Sequence, residues 1–171
     1  FTTWLRWGVL DLCTGSGCII ISLMKLCPGI VGIASDISAD ALEVARENAV
    51  RMDAAVSFIE SDLFERIHGS FDLIVSNPPY IPTGTIGRLM EEVRLHDPRT
   101  ALDGHGDGLY FYREIIGESD LYLKQGGWLM FEIGSEQGAE VSAMMRRAGY
   151  SRVEVIQDLA GLDRVVIGRR S

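Results

Sequence analysis

The chain of 171 residues has little of what marks the special classes of protein. It contains 3 cysteines and 5 prolines, and aromatic residues make up 8% of it. Cysteines that are odd in number and lack a C-x-x-C or histidine-rich spacing favour free thiols in a reducing cytoplasm over disulfide bonds or a zinc site. We therefore expect neither a disulfide scaffold nor a bound metal ion.

Long hydrophobic runs and an excess of basic residues are also missing. The longest apolar stretch, 18–24, ends at Lys25 and is far shorter than the roughly 20 residues that span a bilayer. Nothing in the sequence resembles a signal peptide. The net charge of −8 provides no general attraction for nucleic acid or for an anionic membrane. These features favour a cytoplasmic globular protein that binds neither membranes nor nucleic acid.

What the sequence does contain is a repeated alternation between strand-like and helix-like hydrophobic patterns. Strand patterns occupy 9–12, 30–36, 56–61, 71–76 and 128–133, and helical patterns occupy 19–26, 38–52, 108–123 and 136–148. Such alternation predicts parallel strands joined by right-handed helical crossovers. Proline and glycine interrupt segment 81–106, which we expect to be a long functional loop.

The end of the chain departs from this alternation. Two strand patterns, 152–158 and 164–169, are separated by a stretch too short for a crossover helix. They therefore predict an antiparallel hairpin. A mostly parallel sheet closed by one reversed strand is a common form of mixed sheet, so the fold class is α/β.

A glycine-rich turn follows the first strand pattern, with the sequence Asp-Leu-Cys-Thr-Gly-Ser-Gly at 11–17. Glycines let the backbone approach a ligand closely, and the helix that follows offers unpaired N–H groups. Asp36 ends the second strand, where a carboxylate can reach ribose hydroxyls. The pattern predicts a site for a nucleotide-like ligand. It is not a dinucleotide site, because Ile20 replaces the third glycine, and the spacing of Gly15 and Ser16 excludes a nucleophile elbow.

The sequence Asn-Pro-Pro-Tyr at 77–80 follows the fourth strand. Pro78 and Pro79 remove two backbone donors, so this corner offers carbonyl oxygens without N–H groups. Asn77 adds a side-chain carbonyl, and Tyr80 adds a flat face for stacking. Such a corner suits a planar NH2 group. In a doubly wound sheet of order 3-2-1-4-5, it would face the glycine-rich turn across the crevice at the switch point.

These two motifs in this order resemble a class I S-adenosylmethionine-dependent methyltransferase, and the wider sequence resembles the HemK/PrmC family. That family methylates a glutamine side-chain nitrogen in class-1 peptide-chain release factors. The resemblance extends over residues 9–170 and includes the runs 61–64, 97–104, 107–109, 131–134 and 158–161. It implies a Rossmann-like fold whose seven-stranded sheet has the order 3-2-1-4-5-7-6, with helices on both faces.

The resemblance also implies residue roles. S-adenosylmethionine, which becomes S-adenosylhomocysteine, would contact Asp11, Cys13, Thr14, Gly15, Ser16, Gly17, Asp36, Ile37, Asp62, Leu63 and Asn77. The glutamine would bind Asn77, Pro78, Pro79 and Tyr80, among which Asn77, Pro78 and Tyr80 would be catalytic. We expect an in-line displacement that depends on positioning, with no assigned general base.

The sequence departs from the family pattern in two respects. Cys13 stands where the family usually has glycine, so we expect that replacing Cys13 by glycine tightens cofactor binding. The N-terminal helical domain that recognises the release factor has no counterpart here, and we expect residues 1–171 to form a single catalytic domain. Two alternatives remain open: a methyltransferase for an exocyclic base amine of RNA or DNA, and a non-catalytic cofactor-binding module.

Overall fold

A computed structural model describes residues 6–87 and 99–171. Its centre is a seven-stranded sheet of order β3-β2-β1-β4-β5-β7-β6, which confirms the predicted order. The strands are β1 (Trp7–Leu12), β2 (Ile30–Asp36), β3 (Ser57–Glu60), β4 (Phe71–Ser76), β5 (Leu123–Glu132), β6 (Ser151–Gln157) and β7 (Asp163–Arg169). Strands β1 to β5 are parallel, and β7 is antiparallel to both β5 and β6, as the hairpin prediction requires.

Four longer helices and two short ones are described: α1 (Cys18–Leu26), α2 (Ala39–Arg51), α3 (Thr83–Ile86), α4 (Arg99–Leu102), α5 (Tyr110–Ser119) and α6 (Gly138–Arg147). Helix α2 begins as predicted, because the Ser38 hydroxyl accepts a hydrogen bond of 3.2 Å from the Ala41 N–H. No helix within 6–87 or 99–171 has both the length and the apolar character needed to cross a bilayer.

Helices cover both faces of the sheet, as expected. Because successive residues of a strand point to opposite faces, Val9 and Leu10 enter different cores. The first core joins β1 and β4 to α1 and α2 through Val9, Leu73, Val75, Ile20, Ile21 and Ala49. The second core joins the sheet to α5 and α6 through Leu10, Ile74, Phe131, Ile115, Val141 and Met145. Because the helices pack on the two faces of the sheet, the carboxyl ends of the parallel strands remain available for a site.

Two details of the sequence prediction are wrong. The helical pattern of 38–52 extends one residue too far, because α2 ends at Arg51, and Met52 is 51% exposed. Strand β5 begins at Leu123, five residues before the predicted start. Residues 123–127 have no strand-like apolar pattern. Leu123 nevertheless pairs with Phe71 of β4, and after a register shift the pairing continues from Trp128.

The long segment after β4 is more ordered at its two ends than the pattern of prolines and glycines suggests. Helices α3 and α4 lie within it, and Ile81 forms a parallel bridge to Asp103. The Ile81 N–H donates to the Leu102 carbonyl at 3.0 Å, and the Gly104 N–H donates to the Ile81 carbonyl at 2.8 Å. Residues 88–98 of the predicted loop lie outside the described residues.

Candidate active site

The two predicted motifs lie side by side at the carboxyl edge of the parallel strands. Leu12 at the end of β1 pairs with Ser35 of β2 and with Ser76 of β4. The Ser76 hydroxyl also donates a hydrogen bond of 2.8 Å to the Leu12 carbonyl, which ties the two strand ends together. Adjacent strands are about 4.8 Å apart, so the residues that follow these three are neighbours. They are Cys13, Asp36 and Asn77.

The turn of residues 13–17, here called the glycine bend, depends on backbone angles that favour glycine. Positive φ values occur at Cys13 (57°), Gly15 (54°) and Gly17 (80°). A Cβ on Gly17 would lie 2.9 Å from Ile21 Cδ1 and 3.2 Å from Ala45 Cβ, so α1 and α2 need glycine there. A Cβ on Gly15 would have no described atom within 4 Å. This side of the glycine bend therefore has room for a ligand.

Asp36 holds the glycine bend from the neighbouring strand. One carboxylate oxygen accepts the Gly15 N–H at 2.8 Å, and the other accepts the Ser38 N–H at 2.9 Å. Each carboxylate oxygen has a further lone pair, so Asp36 can still accept hydrogen bonds from hydroxyl groups. The next residue, Ile37, is 62% exposed and presents an apolar surface at the same edge.

Asp11 is a fully buried acidic residue beneath the glycine bend. Its Oδ2 accepts the Thr14 hydroxyl at 2.7 Å and the Ile20 N–H at 3.3 Å, which joins the strand to the first turn of α1. Its Oδ1 has no hydrogen-bond partner within the described part of the chain. Burial, together with the nearby charge of Asp36, raises the pKa of Asp11 to about 7. A cation bound above the bend would stabilise the ionised form of this carboxyl.

The other predicted residues of the glycine bend differ in accessibility. Thr14 is buried, whereas Ser16 is exposed and its carbonyl accepts the Asn48 amide at 3.0 Å. Burial and the charge of Asp36 raise the pKa of the Cys13 thiol to about 12. The thiol is therefore protonated at neutral pH and unsuited to nucleophilic chemistry.

The end of β3 extends the same edge by one more strand. The Ser61 N–H donates to the Asp36 carbonyl at 3.0 Å, and the Ser61 hydroxyl donates to the Leu63 carbonyl at 3.0 Å. Asp62 is exposed between them, and Leu63 has a positive φ of 44° and packs on the second core. The predicted residues that follow β1, β2 and β3 thus lie next to one another at the carboxyl ends of these strands.

The Asn-Pro-Pro-Tyr corner of residues 77–80 lies on the other side of the glycine bend. Asn77 is exposed, Pro78 is buried, and Pro79 and Tyr80 are half-buried. The Asn77 side chain is therefore not in the protein interior, and it follows the strand that pairs with β1. The arrangement places the exposed Asn77 beside the glycine bend.

A comparison with protein families agrees with this arrangement. Residues 2–107 match the model of a family described as the methyltransferase small domain. That match includes the glycine bend, Asp36 and the Asn-Pro-Pro-Tyr corner.

The chain belongs to the methyltransferase small domain family.

Curated relatives confirm the resemblance that the sequence predicts. The release factor glutamine methyltransferase of Agrobacterium fabrum is 48% identical over 164 residues, which are 95% of this chain and 57% of that protein. The protein of the same name from Geobacter sulfurreducens is 47% identical over 163 residues, again 95% of this chain and 57% of the relative. The chain thus spans a little over half the length of these relatives.

Solved structures confirm the Rossmann-like methyltransferase fold. A methyltransferase from Pyrococcus furiosus has a TM-score of 0.72 at 20% identity, covering 99% of this chain and 78% of that one. A 16S rRNA N2 G1207 methyltransferase from T. thermophilus, in complex with AdoMet and guanosine, has a TM-score of 0.69 at 14% identity. It covers 98% of this chain and 38% of that one. At these identities the likeness concerns the fold alone.

Two residues that support this candidate site were not among those predicted from the sequence. Ser76 links the ends of β4 and β1, and its position as the last residue before Asn77 was the available signal. Gln137 is half-buried, and its side-chain amide contacts the backbone of the Asn-Pro-Pro-Tyr corner. Gln137 lies three residues after Gly134, in the turn between β5 and α6. The run 131–134, which is part of the family resemblance, was the available signal.

Proposed function

We propose that this chain transfers a methyl group from S-adenosylmethionine to the side-chain amide nitrogen of a glutamine in a class-1 peptide-chain release factor. The observation that carries the proposal is the position of Asn77, which is exposed and directly follows the strand that pairs with β1, beside the glycine bend. The similarity to two curated release factor glutamine methyltransferases supports the choice of acceptor. Activity, acceptor and partner are all part of the proposal.

The residues at the carboxyl edge fit S-adenosylmethionine. The unpartnered Oδ1 of the buried Asp11 favours a positively charged group nearby, and the methionine end of this cofactor is cationic. Because a Cβ built on Gly15 would meet no described atom within 4 Å, there is room for the methionine end of the cofactor beside residues 13–17. Asp36 retains acceptor capacity for the ribose hydroxyls. The adenine would lie against Ile37, which follows β2, and against Asp62 and Leu63, which follow β3.

The corner at 77–80 would hold the glutamine amide. Asn77 Oδ1 and the Pro78 carbonyl would each accept one N–H of the planar NH2 group, while the Tyr80 ring packs on the amide plane. When bound, S-adenosylmethionine would supply the methyl group and leave as S-adenosylhomocysteine, and the amide nitrogen would release one of its protons to solvent after accepting that group. An amide nitrogen is a poor nucleophile because its lone pair is delocalised. Two acceptors raise its electron density and stabilise the positive charge that develops on it.

The acceptor we propose is a protein rather than a nucleic acid. The net charge of −8 opposes the phosphate contacts that dominate nucleic-acid affinity. We also propose that residues 1–171 form a single catalytic domain that acts in the cytoplasm. The three cysteines are free, which suits a reducing compartment.

Methyl transfer from radiolabelled S-adenosylmethionine tests the proposal directly. The chain is incubated separately with a class-1 release factor, with RNA and with DNA, and the modified residue is located by mass spectrometry. We expect label on one glutamine of the release factor and none after that glutamine is replaced by alanine. Asn77→Ala should lower the rate by about 10²- to 10³-fold, the range for loss of one transition-state hydrogen bond.

The same experiment separates the alternatives. Label on RNA or DNA but not on the release factor would overturn the proposal in favour of a base-amine methyltransferase. Binding of S-adenosylhomocysteine by calorimetry without transfer to any acceptor would overturn it in favour of a non-catalytic module. Wild-type and Asn77→Ala rates that agree within error would remove the proposed role of Asn77.

A further inference from the structure

Gln137 lies outside the two motifs and contacts the Asn-Pro-Pro-Tyr corner through its side-chain amide. It lies between the end of β5 and the start of α6. Its Nε2 donates to the Tyr80 carbonyl at 3.1 Å and to the Gly108 carbonyl at 3.1 Å. Its Oε1 accepts the Gly134 N–H at 3.0 Å. One side chain therefore joins three backbone segments that are distant in sequence.

The chemistry of these contacts fixes the orientation of the Gln137 amide. Both partners of the nitrogen are carbonyl oxygens, and the oxygen faces a backbone N–H and, at 3.4 Å, the Tyr112 hydroxyl. A rotation of the amide by 180° would place its oxygen against two carbonyls and its NH2 against a donor. Only the observed orientation satisfies every group.

Close backbone packing leaves the corner little freedom once Gln137 is in place. A Cβ on Gly108 would lie 2.3 Å from the Tyr80 carbonyl oxygen, and a Cβ on Gly104 would lie 2.7 Å from Tyr80 Cα. A Cβ on Gly134 would lie 3.0 Å from Gln137 Oε1 and 3.3 Å from Tyr80 Cδ2. Both the carbonyl and the ring of Tyr80 are thus held by the residues that Gln137 connects.

We propose that Gln137 is a positioning residue for the acceptor site, acting through Tyr80. It fixes the segment that follows Asn77, Pro78 and Pro79, and hence the direction in which their oxygen acceptors point. The inference rests on the proposed function for the identity of the acceptor, but the contact between Gln137 and Tyr80 does not. A small displacement of a positioning group can lower the rate of a reaction by about 100-fold.

The test compares Gln137→Met and Gln137→Glu with wild type. Methionine matches the length of the side chain but makes none of the four contacts. Glutamate keeps the acceptor for Gly134 but loses the NH2 donor to Tyr80 and Gly108. Gln125→Met is the matched control, because Gln125 is exposed at the opposite end of β5.

We expect Gln137→Met to lower kcat for the release factor by about 10- to 100-fold, with affinity for S-adenosylhomocysteine changed by less than about twofold. Gln137→Glu should recover activity relative to wild type as the pH falls, because a protonated carboxyl can again donate to one of the two carbonyls. Gln125→Met should behave as wild type. An unchanged kcat in Gln137→Met, or the same pH profile in wild type and Gln137→Glu, would overturn the inference.

Hydrogen exchange provides a readout that does not depend on the acceptor. In Gln137→Met the amides of Ile81 and Gly104 should exchange faster, while amides of the glycine bend should keep their wild-type rates. If wild type fails to methylate a release factor, the proposed function fails, and this local pattern alone still supports the positioning role. Unchanged exchange at Ile81 and Gly104, or faster exchange throughout the chain, would overturn that role.

Discussion

The glycine bend of residues 13–17 and the corner of residues 77–80 lie side by side, but different kinds of contact hold them. In the bend, Thr14 bonds to Asp11 three residues away, and the backbone itself makes the turn through positive φ angles. In the corner, Tyr80 is held by Gln137, which is 57 residues away. The bend thus combines contacts within residues 11–17 with one from Asp36 on the adjacent strand, whereas the corner is held by a side chain from a distant part of the chain.

This difference predicts where substitutions will act. Changes in the bend should alter folding stability and cofactor binding together, because the same few residues serve both. Changes around the corner should alter catalysis with little effect on cofactor binding, because the contacts that hold it lie away from the cofactor. Four predictions test this division, beginning with the largest expected effect.

Gly17→Ala should cause the largest loss of stability, roughly 2 to 4 kcal/mol in the free energy of unfolding. The alanine must adopt a left-handed backbone conformation, which costs about 1 to 2 kcal/mol. Its Cβ would also overlap Ile21 and Ala45. Gly15→Ala is the matched variant, since it also has a positive φ but its Cβ meets open space.

Urea unfolding and calorimetry with S-adenosylhomocysteine distinguish these two variants. Gly15→Ala should unfold close to wild type, within about 1 to 2 kcal/mol, and bind the ligand more weakly. If both variants lose the same stability, the packing of α1 against α2 is not the reason that position 17 needs glycine.

Asp11→Asn should remove a pH dependence of stability. The raised pKa of about 7 means that the folded state keeps a proton that the unfolded state has released. Stability from that proton is complete below about pH 4 and is lost as the pH rises through about 7. From pH 5 to pH 8, wild type should lose roughly 2 to 3 kcal/mol relative to Asp11→Asn in urea unfolding.

Asp40→Asn is the control for this measurement, because Asp40 is exposed in the first turn of α2. It should follow the wild-type pH dependence. Parallel curves for wild type and Asp11→Asn would contradict the prediction and would show that Asp11 is ionised at low pH in the folded protein.

Cys13→Gly should stabilise the protein by about 1 kcal/mol and tighten S-adenosylmethionine binding. The residue has a φ of 57°, which costs a non-glycine residue about 1 to 2 kcal/mol, partly offset by the greater freedom of glycine in the unfolded chain. Cys13→Ala separates the effect of the backbone angle from the effect of the thiol, because it removes the sulfur but keeps the Cβ. Weaker binding or earlier unfolding of Cys13→Gly than of Cys13→Ala would refute this account.

Arg113→Ala should have the smallest effect, below about 1 kcal/mol, despite two hydrogen bonds of 2.9 and 3.0 Å from Arg113 to Asp107. Both side chains are about half exposed, so solvent screens the pair. Arg113 lowers the pKa of Asp107 to about 2, and any stabilisation should disappear as the pH falls through that value. Urea unfolding at low and high salt measures this stabilisation. A loss well above about 1 kcal/mol would show that the ion pair, and not the Gln137 amide, anchors the segment that contains Asp107 and Gly108.

The sequence was sufficient to predict most of the fold and the adjacency of the two motifs. The final hairpin follows from the local patterns at the end of the chain, whereas the order of the seven strands was implied by the resemblance to the HemK/PrmC family. The start of β5 at Leu123 follows from neither, because it depends on an irregularity in the pairing, where β5 advances five residues while β4 advances two. Gln137 was missed for a similar reason, since its partners come from segments that are remote along the chain.

By itself, the sequence determined that the chain bends after β1 and that the corner after β4 lacks two backbone N–H donors. Glycine and proline set backbone angles residue by residue, and these preferences need no neighbours. Only the tertiary structure decided that Asp11 keeps one oxygen without a partner, that Cys13 adopts a left-handed angle, and that Gln137 holds Tyr80. Those properties depend on burial and on contacts between distant segments, which exist only when the sheet has formed.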